Sequence, residues 1–302
     1  MAINRSQIRD LLLPGLAGIE GKYQQLPTRF KDFLSYGTSK MALERYVENR
    51  YTGLAQLKAE GGATTFDNSP GERFVWNIEH RAVGLGTSFT REALDDNLYK
   101  DEFNPKAIGL VESHAQTREI FAANLLNTAT TYNPLVGGDG VALLSTAHPI
   151  DNGTYANTPT TQLDLNESSI ETALNAIQTF PDQAGLLALR RGRKLYVPIA
   201  LQWTAQRLTK TELRTGTADN DVSAIYTTGA LPEGYAVNEF LTSNFAWFIL
   251  TDNKGLVFLD RVPLELDLQV DPVTGNLLVI GYERYGIGPK NPRAIFGNTP
   301  TA

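Results

Sequence analysis

The chain has no cysteine among its 302 residues, which excludes a disulfide framework and thiolate chemistry. Only 20% of the residues are charged, the formal net charge is −6, and no long basic block occurs, so we expect no tight binding to a nucleic-acid backbone. Apolar runs are short. The amino-terminal one, residues 11–13, stops at Pro14, whereas a membrane span needs about 18 residues. We therefore expect a protein that is neither exported nor membrane-bound.

The apolar content is sufficient for a packed core. Apolar residues make up 42% of the chain, and the length fits one large domain or two interleaved ones. No internal repeat or low-complexity tail is present.

Two β-prone runs, residues 63–66 and 73–85, flank the turn-forming residues 68–71 and predict a β-hairpin. Alternation in the second run places three large apolar side chains on one face: Phe74, Trp76 and Ile78. A lone two-stranded ribbon is only marginally stable in water, so this face needs a cover. The pattern leaves open whether that cover is the same domain or a neighbouring subunit.

Helices and strands alternate over the rest of the chain. A helix of roughly 25 residues is predicted from the Asn104–Pro105 cap, with a narrow apolar stripe and Glu119 on a polar side. A second helix is capped by Asn166 or by Ser168 and ends before Pro181. Strands are predicted at residues 194–197, 246–250, 256–261, 264–270 and 277–286. This order is typical of an α+β fold.

The stretch LLSTAHP at residues 143–149 looks like a catalytic loop, but its histidine has no partner at metal or triad spacing. We expect hydrogen-bonded, half-buried imidazoles at the three histidines, His80, His114 and His148. Phosphate-loop, dinucleotide and nucleophile-elbow motifs are all missing from the sequence. The sequence therefore predicts no catalytic residue, no metal site and no cofactor.

Three charged clusters remain. The acidic pairs at residues 95–96 and 219–221 could bind a cation, although solvated acids are the commoner outcome. The basic cluster at residues 190–194 lacks interleaved aromatic residues. It therefore indicates a solvated turn or an intersubunit ion-pair partner rather than a nucleic-acid groove.

The order of segments carries a resemblance over nearly the whole chain. YGTSKMALERY (36–46) is followed by SFTREALDDNLY (88–99), the long helix, LLSTAHP, DLNESSIETALNAI (164–177), RKLYVP (193–198) and the closing run from VPLELDLQVD (262–271) to AIFG. This series resembles the major capsid proteins of tailed phages with the Hong Kong 97-type fold, in their Mu-like branch. The specificity lies in the order rather than in any one motif.

The resemblance implies a Hong Kong 97-like α+β fold with four parts. These are an N-terminal arm (1–52), an extended E-loop hairpin (53–89), a P-domain with a long spine helix (90–162 and 262–302) and an A-domain (163–261). It also implies a non-enzymatic major head protein that self-assembles into the hexamers and pentamers of an icosahedral shell around double-stranded DNA.

The resemblance suggests where subunits contact one another. In the E-loop, the candidate intersubunit residues are Phe74, Trp76, Ile78 and Arg81. Asp219 and Asp221 are expected near the capsomer axis, where symmetry would gather like charges and a cation could bridge them.

The implied partners are copies of the chain, together with portal, scaffolding and decoration proteins, and packaged DNA without tight binding. No membrane partner is expected. The implied location is the virion, after assembly in the host bacterial cytoplasm. Two other functions stay open at this point: an encapsulin-like nanocompartment shell of the same fold, and a soluble enzyme of unknown class.

Overall fold

The computed structural model describes residues 28–92, 99–213 and 222–299, without the side chains of residues 99–105. The strands are β1 (Ser35–Thr38), β2 (Leu43–Arg50), β3 (Gly71–Glu79), β4 (Arg81–Phe89), β5 (His148–Ile150), β6 (Gly153–Tyr155), β7 (Gly192–Pro198), β8 (Tyr235–Asn238), β9 (Trp247–Thr251), β10 (Leu256–Val270), β11 (Leu277–Pro289) and β12 (Ile295–Asn298). The α-helices are α1 (Tyr99–Asn127), α2 (Glu167–Gln178), α3 (Gln202–Lys210) and α4 (Ala224–Thr227), and 3-10 turns occur at Phe30–Asp32, Ile199–Leu201 and Pro292–Ala294.

One four-stranded sheet has the order β1-β10-β11-β4, with β1 parallel to β10 and the other pairs antiparallel. The two strands predicted at 256–261 and 264–270 form the single strand β10. Register shifts on either side of Val262 mark an irregularity there, next to Pro263, which cannot donate a backbone hydrogen bond to a neighbouring strand.

The long helix α1 lies on this sheet. Its 29 described residues, Tyr99–Asn127, span about 43 Å, and they include residues before the predicted Asn104–Pro105 cap. Ala107, Leu110 and Val111 pack against apolar residues of β10 and β11. Glu119, predicted on a polar side, is instead buried. The correction has a local cause, because the N–H groups of Arg29 and Phe30 donate to its carboxylate at 2.7 and 3.0 Å.

A second four-stranded sheet has the order β12-β9-β7-β8. Side chains of α2 and α3, such as Ile170 and Ala205, pack with Leu195 and Trp247 on one face. Tyr196, Phe248 and Leu250 on the other face share a core with Leu126 of α1 and Phe258 of β10. The second sheet therefore packs against α2 and α3 on one face and against α1 and β10 on the other. The cap of α2 is Asn166, whose side chain accepts the Ser169 N–H at 2.8 Å.

The predicted hairpin exists with a different first strand. β3 pairs antiparallel with β2, while residues 63–66 form no strand. The half-buried positions of β2 are Glu44, Tyr46, Glu48 and Arg50. Three of these four residues are charged, so this face gave no run of alternating apolar residues to detect. The hairpin starts at Leu43, inside the range assigned to the arm. We call the paired strands the base and residues 51–70 the tip.

Two other proposed domain limits do not coincide with the sheets. β4 closes the first sheet rather than the hairpin, and β12, placed within the P-domain range, belongs to the second sheet. The division into arm, E-loop, P-domain and A-domain stays a prediction.

Candidate assembly surfaces

The base of the hairpin packs within its own subunit. Trp76 and Ile78 are only 2% and 1% exposed. The segment after α1 lies along β3, because the Asn77 N–H donates to Val136 O at 2.7 Å and the Gly138 N–H donates to Val75 O at 2.8 Å. The prediction that this face lies on a neighbouring subunit is therefore wrong for Trp76 and Ile78.

Glycines make this packing possible. A Cβ added to Gly138, which has φ +86°, would lie 2.4 Å from the Trp76 ring, so only a residue without a side chain leaves room for the indole. Ile78 similarly lies over Gly288 and contacts Val257 and Leu259 of the first sheet. Alternation in a strand identifies the buried face but not the group that covers it.

Charged residues also attach the base to the rest of the subunit. The buried guanidinium of Arg293 pairs with Glu48 of β2 and lies 4.5 Å from the centre of the Tyr155 ring. On the same hairpin, Arg50 and Arg73 both pair with Asp151 in the turn between β5 and β6. Each strand of the base is thus held by at least one ion pair.

Two other candidate contact residues of the E-loop lie at more open positions. Phe74 is half-buried, with the Arg73 guanidinium 5.0 Å from its ring centre. Arg81 is exposed at the start of β4 and lines a cavity of about 260 Å³ together with Phe121 and Leu125 of α1. Their role in subunit contacts stays a prediction.

The tip of the hairpin is the opposite of the base. Its large apolar side chains are solvent-exposed: Tyr51 (68%), Leu54 (79%), Leu57 (105%) and Phe66 (83%). Asp67 organises the loop, because it accepts the Gly53 N–H at 2.8 Å and the Ser69 N–H at 2.9 Å. These two bonds lower the pKa of Asp67 to about 2. These residues were not predicted from the sequence, although apolar side chains spaced along a polar connection were a usable signal.

The histidines have structural environments. His148 is fully buried, with Nδ1 2.6 Å from Asp139 and Nε2 3.1 Å from the amide oxygen of Asn157. A His–Asp pair of this kind resembles part of a catalytic triad, but Nε2, which would face a nucleophile, faces Asn157 instead. His148 therefore fixes the LLSTAHP loop. It is more deeply buried than predicted.

His114 belongs to a buried charge network under α1 that the sequence did not reveal. Its Nδ1 lies 3.1 Å from Glu283, which also accepts a 2.6 Å hydrogen bond from Arg118. Arg118 in turn lies 3.7 Å from Asp260. His80 is buried too, and burial lowers its pKa. Within the described ranges, no group of three potential metal ligands occurs.

The acidic candidates fall elsewhere. Asp219 and Asp221, like the pair at 95–96, lie outside the described residues, so their proposed role near the capsomer axis stays a prediction. The segment that contains residues 219–221 is closed by an isolated bridge between Leu213 and Val222.

The basic cluster at residues 190–194 forms ion pairs within the subunit. Arg190 lies 3.8 Å from Asp252, and Arg193 lies 3.0 Å from Glu233. Lys194 lies 3.5 Å from Asp32. Arg191 is exposed and forms no ion pair with any residue that the structure describes.

Comparison with known structures identifies the fold. The procapsid protein of bacteriophage JBD30 is 11% identical, with a TM-score of 0.53 over 99% of this chain and 77% of that chain. The mature capsid of bacteriophage PhiM1 is 11% identical, with a TM-score of 0.55 over 90% and 86%. A virus-like particle from Pyrococcus furiosus is 11% identical, with a TM-score of 0.52 over 94% and 97%. The predicted Hong Kong 97-like α+β fold is confirmed.

Two further comparisons bear on identity. No protein with a curated description matches the sequence, and none of the helices in the described ranges has the length and apolarity needed to cross a membrane. The sequence profile of a family described as phage capsid protein matches residues 80–298, which is more than half of the chain. The chain therefore belongs to the phage capsid protein family and is a structural component of the virion rather than an enzyme.

Proposed function

We propose that this major capsid protein builds its icosahedral shell from hexamers and pentamers in which the hairpin tip of each subunit lies on a neighbouring subunit. We further propose that the shell encloses double-stranded DNA and belongs to the Mu-like branch. The observation that carries the proposal is the exposed apolar tip of the hairpin in a chain of the phage capsid family.

The energetics of the tip support a contact between subunits. Burying a large apolar side chain is worth about 1.5–3 kcal/mol, and Leu54, Leu57 and Phe66 are at least 79% exposed in the single chain. The same contact would recur at every subunit of a symmetric shell. The gain is therefore available only on assembly.

The charge of the chain is compatible with a DNA container. The net charge of −6 and the lack of a long basic block favour a wall along which DNA slides rather than one that holds it. Portal, scaffolding and decoration proteins, and assembly in the host cytoplasm, belong to the proposal on the strength of the family resemblance. An encapsulin-like shell would have the same fold, but the family profile favours a phage head.

The test is the assembly state of the purified chain. Sedimentation velocity and negative-stain images should show rings, tubes or closed shells. A species that stays monomeric across a wide range of salt and protein concentration contradicts the proposal. Terminase and portal genes beside this gene would support the phage head, whereas a neighbouring cargo-enzyme gene would support the nanocompartment.

A further inference from the structure

The second sheet has chemically different ends. β7 runs from Gly192 to Pro198, so its ends are about 20 Å apart. Residues 181–189, which we call the tongue, precede its first residue. Trp203 lies in α3, shortly after the last residue of β7. The two ends of β7 therefore carry separate surface patches, at opposite ends of the second sheet.

The tongue is a fixed structure that presents two leucines to solvent. Leu187 forms an isolated bridge with Pro181, and the Ala188 N–H donates to Phe180 O at 2.8 Å. Asp182 accepts the Leu186 N–H at 2.8 Å. Leu187 is nevertheless 62% exposed and Leu189 is 77% exposed.

Leu189 is also strained. Its φ of 51° is the one positive value among the described residues other than glycine, and a left-handed conformation is unfavourable for a bulky residue. Strain of this kind persists where the surrounding structure imposes it, and often at functional sites.

The far end of β7 carries a second apolar patch. Ile199 is 54% exposed and Trp203 is 66% exposed. The same end of the sheet includes Asp164, because the Leu163 carbonyl accepts the Trp247 indole N–H at 3.0 Å, at the start of β9.

The exposed charged residues without an ion-pair partner beside the two patches have opposite sign. The tongue is followed by the basic cluster at residues 190–194, in which Arg191 has no ion-pair partner among the described residues. At the other end, Asp164 and Glu239 are exposed. Asp164 likewise forms no ion pair with a described residue, while Glu239 lies 3.3 Å from the exposed Arg29.

We propose that the tongue of one subunit docks on the apolar patch of Ile199 and Trp203 on the next subunit in a capsomer. In this contact Arg191 of the first subunit faces Asp164 of the second. Two different, complementary patches at opposite ends of β7 give a heterologous contact, which closes into a ring when the rotation is right. The opposite charges set the direction and register of that contact. This inference rests on the proposed function, since it names the surfaces through which capsid subunits meet.

The test uses two charge-reversal variants, Arg191→Glu and Asp164→Arg. Alone, each places like charges at every contact, so the concentration needed for half-maximal capsomer formation should rise by about tenfold or more. In an equimolar mixture, alternating subunits face only opposite charges. Sedimentation velocity should show that the mixture recovers capsomers, and native mass spectrometry should find equal numbers of the two variants in each hexamer.

Charge-preserving variants, Arg191→Lys and Asp164→Glu, should assemble like the wild-type chain, and thermal unfolding of each variant monomer should match the wild type. The pairing is wrong if either reversal assembles normally alone, or if the mixture of two folded, assembly-deficient variants fails to recover. Failure of the wild-type chain run in parallel would instead contradict the proposed function.

Discussion

The two halves of the hairpin differ in where their apolar side chains lie. In the base, Trp76 and Ile78 are buried against the first sheet and the segment that follows α1. In the tip, Leu57 is fully exposed and Phe66 is 83% exposed. The base is therefore part of the folded subunit, whereas the tip remains available to another molecule.

This difference separates folding from assembly within one hairpin. A substitution in the base should act on the free energy of unfolding of the monomer. One in the tip should act on the equilibrium between monomers and capsomers.

The largest effect is expected for Trp76→Ala. Truncating a fully buried aromatic side chain costs about 3–5 kcal/mol, because transfer energy is lost and a cavity remains. Denaturant unfolding of the unassembled subunit should show this loss. A loss below about 1 kcal/mol would mean that Trp76 is not buried within its own subunit, in line with the intersubunit contact that the family resemblance suggested.

A small substitution can probe the same contact from the other side. Gly138→Ala places a methyl group 2.4 Å from the indole ring and at a positive φ, so it should also destabilise the monomer. Gly140→Ala is a matched control, since its φ is +84° and its Cβ would meet nothing within 4 Å. Equal losses for the two variants would argue against the Trp76 contact.

The second prediction concerns the buried ion pair of the base. Glu48→Gln leaves the buried Arg293 guanidinium without its carboxylate, and an uncompensated buried charge costs about 3 kcal/mol. Glu239→Gln is the control, because it removes a solvent-exposed pair with Arg29, which is worth at most about 1 kcal/mol. Chemical denaturation of both variants makes the comparison. Similar losses would show that Glu48 does not hold the base.

The third prediction concerns the pH dependence of monomer stability that Glu119 causes. Burial raises the pKa of Glu119 from 4.5 to about 7, against the opposing hydrogen bonds from the N–H groups of Arg29 and Phe30. The folded-state pKa lies above the unfolded value, so this contribution to stability is complete below about pH 4.5 and is lost as the pH rises through about 7. Relative to Glu119→Gln, the wild type should lose about 1–2 kcal/mol between pH 5 and pH 8. If the free energies of unfolding of the wild type and of Glu119→Gln changed in parallel with pH, this prediction would be contradicted.

The smallest effect on monomer stability is expected in the tip. Leu57→Ser combined with Phe66→Ser removes only exposed side chains, so unfolding should change by no more than about 0.5 kcal/mol per site. Shell yield should nevertheless fall, because the contact is lost at every subunit. Lys58→Gln, at an exposed polar site in the same loop, is the control and should assemble. Normal shells from the double variant would separate the tip from assembly.

Local sequence patterns predicted the elements whose signals are contained in a few neighbouring residues. The Asn166 cap, the strand that became β7 and the long helix all follow from propensity and periodicity. β2 was missed because its half-buried face carries Glu48 and Arg50, whose partners are distant in sequence. Patterning within one segment cannot show a polar face buried by tertiary ion pairs.

The cover of Trp76 was mispredicted for a related reason. The alternation in β3 correctly marked a buried face, but the covering segment at Val136 and Gly138 is some 60 residues away and meets β3 through backbone hydrogen bonds and a glycine under the indole ring. Likewise, the sequence does not show that the exposed leucines of the tongue form a patch at one end of β7, because this depends on where the ends of the strand lie in the folded chain. Segment order, in contrast, was enough to predict the family.

The most direct test of the account is an image reconstruction of the particles that the wild-type chain forms. We expect closed shells in which residues 51–70 lie on a neighbouring subunit, while Trp76 stays against Gly138 of its own subunit. A tip folded back on its own subunit, or Trp76 inserted into a neighbour, would contradict the division of the hairpin into a folding half and an assembly half.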